Sequence, residues 1–590
     1  MSDEQPARVV PAVPSFAVDR GFSYLAPADV PLGTIVRVPL GGRVVRGFVV
    51  GPGVGDPKLK RIRSISGHRP VFDSRLLEVL RWAASHYVAP LAAVLTRAAP
   101  PNLPPQDLVG PRGTVQWHGA SSMPEVAEAA AAGRHLIPHY LLGARSHADE
   151  VAGLAAPALA SGRSVMVVVA TAVEATELAR GLVHRLGAVV EVVTPDASDR
   201  ATTAAWSRVA SAGGYLLVGT PRVALWPVER LALTIVIEEG RRAMKERQTP
   251  TMHVRDVTAR RAVIQRTALA YLGTVPTGEV VAGGVSVRRA AGSGRGWPLV
   301  EVVDRRDDPF DRGVLGRRSR LAIKATVDSG GRVFLFSHRR GYSPASRCRI
   351  CGELRVCPSC GSRPDPGPSC SRCGSPLEGC ARCGGRAFSP LGAGVERVAE
   401  EARRLVGAER VGERGPVVAG TERDLVGAPA FDLSIVVDAD GLVLGTNYRA
   451  PEEALRSLAR VASAVGPGRG RRCMVQTMQA THPVVEALRR GDPLPFLEAE
   501  LESRTANGLP PSGELIAVET RGQSALFAGE LREAVAGEGS VLGPAETGGG
   551  VRWLIQGTRL GGVRLRLRDV VQRARDAGAQ VRVDVDPIDL

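Results

Sequence analysis

Lysine is almost missing from this 590-residue chain: there are four, Lys58, Lys60, Lys245 and Lys324, against 72 arginines. A Walker-type phosphate loop needs a lysine between glycine and Ser or Thr, because the ammonium must reach the β- and γ-phosphates from a glycine-rich turn. None of the four stands in that setting, so an NTPase ancestor would have left a broken nucleotide site. Long apolar runs are missing too, none approaching the ~18 residues of a membrane span. The opening MSDEQPARVV carries no basic stretch followed by an apolar one, so no secretory signal is read and a cytoplasmic protein is expected. Cysteine is confined to one window apart from Cys473, which reads as a buried apolar filler.

Acid is scarce relative to base. Asp and Glu number 60 against 76 Lys and Arg, leaving a net charge of +16. A field of this sign favours polyanions, and the arginine fork matches phosphate in a bidentate way. A genome rich in G and C also inflates arginine; it accounts for part of the Arg-to-Lys ratio but not for the excess of base. With 44% hydrophobic and 23% charged residues, the composition is globular, and the length suggests about three to five domains.

Eight cysteines fall between 348 and 383 as four consecutive C-x-x-C knuckles: Cys348 and Cys351, Cys357 and Cys360, Cys370 and Cys373, Cys380 and Cys383. Thiols clustered this way in a cytosolic protein point to structural zinc in tetrahedral four-thiolate sites. Five residues separate the first two knuckles and six the last two, while nine lie between the middle pair. That spacing predicts nesting: Cys357, Cys360, Cys370 and Cys373 hold one ion, and Cys348, Cys351, Cys380 and Cys383 the other. Two such sites would trim the net charge to about +12. With every position filled by thiolate, the role is structural.

Short β-like runs broken by Gly and Pro occupy residues 8–50, followed by one predicted helix over 73–95, DSRLLEVLRWAASHYVAPLAAVL. A Pro-rich piece ends this unit. From about 131, apolar strands such as SVMVVVA, YLLVGT and LTIVIEE alternate with helical stretches, the pattern of buried parallel sheets. RVFLFS and FDLSIVVDAD repeat it beyond residue 286, giving a second α/β lobe into which the cysteine window is inserted. The expected α/β multidomain architecture is an N-terminal domain at 1–105, a linker at 106–130, lobe one at 131–285, lobe two at 286–347 and 384–495, a zinc module at 348–383 and a C-terminal α+β domain at 496–590.

Two α/β lobes, four knuckles inside the second and a small β domain in front resemble the PriA family of primosomal replication restart proteins, in its high-GC actinobacterial form. The local matches are VDRGFSYLAP with IVRVPLGGRVVRGFVVG, LLVGTPRVALWPVERLALTIVIEE, MHVRDVTARRA, RVFLFSHRRGYSP, QTMQATHPVVEALRRGD and LESRTANGLPPSGELIAVE. They extend the likeness over almost the whole chain. The resemblance implies two RecA-like helicase lobes and an N-terminal domain that binds the 3′ end of a nascent strand. It also implies a place in primosome assembly with the replicative helicase and single-strand binding protein, near the nucleoid.

The departures sit where ATP chemistry would be. The family's Gly-Ser-Gly-Lys-Thr-Glu loop corresponds to LLGARSHADEVAG, with Ala148 at the lysine position and Asp149 at the Mg²⁺-binding hydroxyl position. Its Asp-Glu-Glu-His becomes Ile237, Glu238, Glu239 and Gly240, and its late arginine element is scrambled into ARVASAVGPGRGRR. Together these losses remove positioning, charge neutralisation and the metal, so neither ATP hydrolysis nor unwinding is expected. Glu238 and Glu239 read as relics or strand-end surface. The other reading is an ATP-driven 3′–5′ helicase with a rebuilt site. The stretch between 106 and 131 is too short for the family's winged helix.

Carried over residue by residue, the 3′-end pocket would use Phe22 to stack on the terminal base, Gly41 for close backbone approach and Lys60 for phosphate. Ser23 replaces the family's acidic residue. Phe22 could equally be a core residue of the β domain, Gly41 an ordinary hairpin glycine, and Lys60 a solvated charge. His253, Arg255 and Asp256 read either as a DNA or interlobe contact or as an ion-paired surface; His338, Arg339 and Arg340 are candidate phosphate contacts. The partners expected are forked or gapped DNA and primosome proteins, with no membrane.

Overall fold

The computed structural model describes residues 4–589 except 68, 105, 109, 111–114, 116, 118, 145, 188, 291–294, 307, 309–312, 339–345, 362, 363, 365–367, 371–373, 391–393, 446, 467, 523, 524, 548 and 549. Two units emerge, one from Met1–Ala290 with Ala499–Leu590, the other from Ala291–Glu498. Among the described residues, no helix is long and apolar enough to cross a membrane.

The first unit begins with strands β1 (Glu4–Pro11), β2 (Phe22–Pro27), β3 (Ile35–Leu40), β4 (Arg43–Pro52) and β5 (Ser64–Ser66), in the order β2-β1-β4-β3-β5. All of its pairings are antiparallel. Alternate residues of these strands, among them Val9, Tyr24, Val36, Val38 and Val49, bury one face together. The segment 73–95 is not one helix: α1 (Ser74–His86) is capped by the Asp73 carboxylate, and α2 (Leu91–Ala98) begins after Pro90. Proline cannot continue the first helix, and Val88 at φ 47 turns the chain between them.

Lobe one follows. Its elements are α3 (Pro124–Ala132), β6 (His139–Leu142), α4 (His147–Ala160), β7 (Ser164–Val168), α5 (Ala172–Leu186), β8 (Val190–Val193), α6 (Asp199–Ser211), β9 (Leu216–Gly219), β10 (Leu231–Ile237), α7 (Val254–Gln265), β11 (Ala268–Gly273), α8 (Gly278–Ala282) and β12 (Ser286–Arg289). The strands form a parallel seven-stranded sheet in the order β12-β6-β11-β10-β7-β9-β8. The lobe exceeds its predicted bounds at both ends. Met123, Val126, Ala127 and Ala130 around α3 lie in its core, in the stretch read as linker, and β12 pairs with β6 beyond residue 285.

The second unit contains β13 (Val300–Asp304), α9 (Arg317–Asp328), β14 (Val333–Phe336), β15 (Ser346–Cys348), β16 (Phe388–Pro390), α10 (Val395–Val406), β17 (Val417–Gly420), β18 (Leu433–Val436), α11 (Asp440–Val443), α12 (Ala450–Ser463), β19 (Arg472–Thr477) and α13 (Pro483–Arg490). Its main sheet runs β13-β19-β18-β14-β17, all parallel. The small antiparallel ribbon of β15 and β16 closes the base of the cysteine insertion.

After α14 (Leu494–Ala506), the chain ends in β20 (Glu514–Arg521), α15 (Ala525–Val535), β21 (Ser540–Thr547), β22 (Gly550–Gly557), α16 (Gly561–Asp576) and β23 (Gln580–Val585). The antiparallel sheet order is β21-β22-β20-β23, an α+β layer as expected.

Candidate nucleic-acid interface and metal centres

Phe22 opens β2, which lies at one edge of the N-terminal sheet. Its neighbour two residues on, Tyr24, is buried, while Phe22 is 42% exposed; the ring is therefore not a core filler. Tyr24 donates its hydroxyl to the Pro39 carbonyl at 3.0 Å, drawing the end of β3 over the face that carries Phe22. The turn beyond it is Gly41-Gly42, with φ of 54 and 80, between the paired residues Leu40 and Arg43. Two consecutive positive φ values call for glycine in a two-residue hairpin. A Cβ on Gly41 would meet nothing within 4 Å, so the conformation and not crowding requires it. The Lys60 carbonyl accepts from Leu25 N at 3.0 Å, and Ile62 N donates to the Leu25 carbonyl. These bonds seat the exposed Lys60 alongside β2. Lys60 thus lies beside Leu25, three residues from Phe22 on the same strand, and the Gly41 turn follows two residues after Pro39, which Tyr24 holds. The Ser23 hydroxyl accepts from Val54 N at 2.9 Å.

Where a nucleotide loop was expected, the segment after β6 leads into α4, whose cap Ser146 accepts from Asp149 N at 3.2 Å. The first turn supplies its own anions. Asp149 is held by Arg185 at 2.6 Å, and the guanidinium keeps its carboxyl below the ordinary value against a desolvation that would raise it. Glu150 is buried against the Ser121 hydroxyl and the Ser122 amide and hydroxyl. The Ala148 side chain offers no polar atom. A helix N-terminus attracts anions through its unpaired N–H groups and dipole; here the chain's own carboxylates meet that demand.

Ile237 ends β10. Glu238 and Glu239 are buried rather than at a surface strand end, with exposures of 5% and 0%. Glu238 accepts from Thr274 N and Oγ1, each at 3.1 Å, and Glu239 accepts from Thr277 N at 2.7 Å and from its hydroxyl. Both tie β10 to the loop after β11.

His253, Arg255 and Asp256 form no surface. All three lie where α7 meets α1, with His253 and Arg255 buried. Tyr87 donates its hydroxyl to Asp256 Oδ2 at 2.8 Å and accepts from His253 N at 3.0 Å. Arg255 bridges Asp256 and Glu279 at 2.8 and 3.2 Å. Burial would raise the Asp256 carboxyl, but Arg255 beside it holds it well below the usual carboxylate range. Burial, with Arg564 alongside, pushes the His86 imidazole down to about 4. Ligand atoms of His86, Asp256 and Asp586 approach within 4.8 Å of one another. The nearby Arg564, Lys245 and Arg255 act on His86 as positive charges, which opposes a cation there. His338 is half-buried beside Gly441; Arg339 and Arg340 lie outside the described residues.

The cysteines gather as two groups. Cys348, Cys351, Cys380 and Cys383 have their Sγ atoms within 4.8 Å of one another, and so do Cys357, Cys360 and Cys370; Cys373 lies outside the described residues. The sulfurs of Cys348 and Cys383, and of Cys351 and Cys380, are 3.5 Å apart, and those of Cys360 and Cys370 are 3.8 Å apart. Zn–S bonds of about 2.3 Å in a tetrahedron give an S···S edge of about 3.8 Å, so the thiols fit a metal of that size. One turn is repeated in every knuckle. Gly352, Gly361, Gly374 and Gly384 follow the second cysteines at φ 74, 68, 75 and 71, and each donates its N–H to the carbonyl of the knuckle's first cysteine. Ile350 N adds a bond to the Cys348 sulfur at 3.4 Å. This C-x-x-C-G signature stood in the sequence beside the cysteine spacing. Cys473 is fully buried, and burial pushes its thiol up to about 12, leaving it inert.

Residues 8–100 match the model of the PriA 3′DNA-binding domain (3′BD). The probable replication restart protein PriA of Mycobacterium leprae is 28% identical over 96% of this chain and 94% of that protein. That of Mycobacterium tuberculosis strain H37Rv is 26% identical over 91% and 90%, and the replication restart protein PriA of Treponema pallidum 25% over 97% and 98%. Among solved structures, the helicase MrfA bound to DNA is matched at TM-score 0.36 and 11% identity, covering 67% of this chain and 53% of that one. RecG bound to a three-way DNA junction is matched at 0.36 and 11%, over 73% and 54%.

Proposed function

We propose that this chain, which carries a PriA-type 3′ DNA-binding domain and is similar along nearly its whole length to replication restart proteins, is a DNA-binding scaffold of replication restart without helicase activity. It recognises forked or gapped DNA by structure, and its zinc module docks other primosome proteins so that the replicative helicase can be reloaded. Residues 1–105 form the 3′-end-binding domain and 348–383 the zinc module. The observation that carries this reading is the half-exposed Phe22 ring on an edge strand of the matched domain, with the exposed Lys60 seated by its backbone against the same strand. A base stacks on such a ring with about 1–3 kcal/mol whatever its identity, while Lys60 meets the phosphate. With Ser23 beside the ring, preference for a free end rests on stacking and on the room at Gly41.

Loss of ATP chemistry is supported by Asp149 and Glu150 at the α4 N-terminus and by Glu238 and Glu239 engaged with Thr274 and Thr277. Two zinc ions, one per cysteine group, would lock the insertion. Zinc supplies no reaction there; four thiolates leave it no open position.

The decisive experiment compares binding of DNA with a free and a phosphate-blocked 3′ end, alongside ATP turnover on forked DNA. Tighter binding of the free end, a preference lost in Phe22→Ala, and no turnover are expected. Equal loss by Phe22→Ala at both ends would reject the pocket. Robust hydrolysis that vanishes in Glu238→Gln would reject the scaffold.

A further inference from the structure

β3 and β4 place Arg37 directly opposite Arg46. Like charges facing each other across an antiparallel pair are destabilising, and among the described residues neither arginine has an ion pair. Arg46 is half-buried, its guanidinium 5.7 Å from the Phe48 ring centroid, and its Nε and Nη2 are buried without a hydrogen-bond partner. Burial, then Arg37, lowers its pKa. Unsatisfied buried donors on a cation are costly. Two arginines facing each other across the strand pair, one with unused donors, are the arrangement a phosphate oxyanion would relieve.

The face they occupy is not that of Phe22. Val36, Val38, Val45 and Val49 point into the same core as Tyr24, so Arg37 and Arg46 stand on the reverse side, with Phe48. There α1 covers the distant end, where Arg81 reaches the Val50 carbonyl. Toward the hairpin tip the face is open, with Val44 52% exposed. Gly41 lies four residues from Arg37 along β3 and its turn, a reach of at most about 13 Å, more than one nucleotide of an extended strand.

We propose that Arg37 and Arg46 form a second phosphate subsite, which grips the backbone of the same DNA strand upstream of its 3′-terminal dinucleotide, after the strand has passed over the Gly41-Gly42 turn. This rests on the 3′-end reading above and adds a length requirement to it. The subsite is blind to base identity and to the chemistry of the end.

The test measures binding of a 3′-terminal dinucleotide and a decanucleotide to the full chain and to the Arg37→Gln/Arg46→Gln variant across a salt series. The dinucleotide should bind both proteins equally. The decanucleotide should bind the variant about tenfold more weakly, with a salt slope shallower by about 1.4 for two lost phosphate contacts on a single strand. Thermal stability of the variant should be unchanged or higher, since a repulsion is gone, which separates lost binding from misfolding. Equal decanucleotide affinity and slope in the two proteins would overturn the subsite while leaving the Phe22 pocket intact. Absence of end preference in the unaltered chain would instead overturn the pocket. Inorganic phosphate at millimolar concentration that stabilises the unaltered chain but not the variant, with decanucleotide binding unchanged, would assign a free anion and reject the DNA strand.

Discussion

His86 illustrates how a single side chain couples burial to pH. In the unfolded chain its imidazole takes a proton as pH falls through 6.5, whereas in the fold it resists until about 4. Unfolding therefore takes up a proton over that window, so stability is full above pH 6.5 and declines as pH falls toward 4. Chemical denaturation at pH 7, 6 and 5 should show this decline, and His86→Gln should flatten it by up to one proton; an identical slope in the variant would mean the imidazole is not held neutral. Little at this scale was legible in the sequence. Phe22 could be named but not shown to be half exposed, because a strand residue's exposure depends on which neighbour covers its face. Glu238 and Glu239 looked like leftovers, since nothing nearby announced that Thr274 and Thr277 would return to satisfy them.

At the scale of elements, the knuckles are the clearest case of local sequence dictating local form. Each turn closes on a glycine whose left-handed backbone costs other residues about 1–2 kcal/mol. Gly361 isolates that term, for a Cβ there meets nothing within 4 Å. Gly361→Ala should weaken metal retention against a competing chelator, and Gly361→Asn should do so less, because Asn tolerates this conformation; equal retention in all three would mean the turn is unstrained. Knuckle order and gap length sufficed to predict the nested grouping seen for the seven described thiols. Helix ends read less well. The periodicity over 73–95 continues through Pro90, and only the backbone reveals two helices with a sharp turn between them.

On the scale of the molecule, two α/β lobes and an inserted cysteine module follow from strand runs and spacing, which are local patterns. The joints of the first unit do not. Asp19 accepts from Leu91 N at 2.8 Å and pairs with Arg568 of α16, while Gln572 accepts from Ser15 and Phe16 and the Arg568 and Arg575 guanidinia lie over the Phe16 ring. The partners on α16 lie more than 500 positions from theirs, beyond any periodicity. Asp19→Ala leaves Arg568 without its carboxylate and should cost about 3 kcal/mol. Arg568→Met combined with it should recover part of the loss in a double-mutant cycle by urea unfolding; additive losses would mean the pair is uncoupled.

Lys245 closes the circle on the scarce lysines. Its buried ammonium donates to the carbonyls of Val585 and Asp586 and pairs with Asp584 at 2.7 Å. Three oxygens arranged around one nitrogen suit three tetrahedral donors and not a flat fork. A single-base change suffices to turn a lysine codon into one for the arginine that the rest of the chain favours so heavily. Such a drift is silent in charge but would unfasten the last strand. The requirement at this position is therefore one of shape, and changes that disturb residues 584–586 should be read as lesions of lobe one as well.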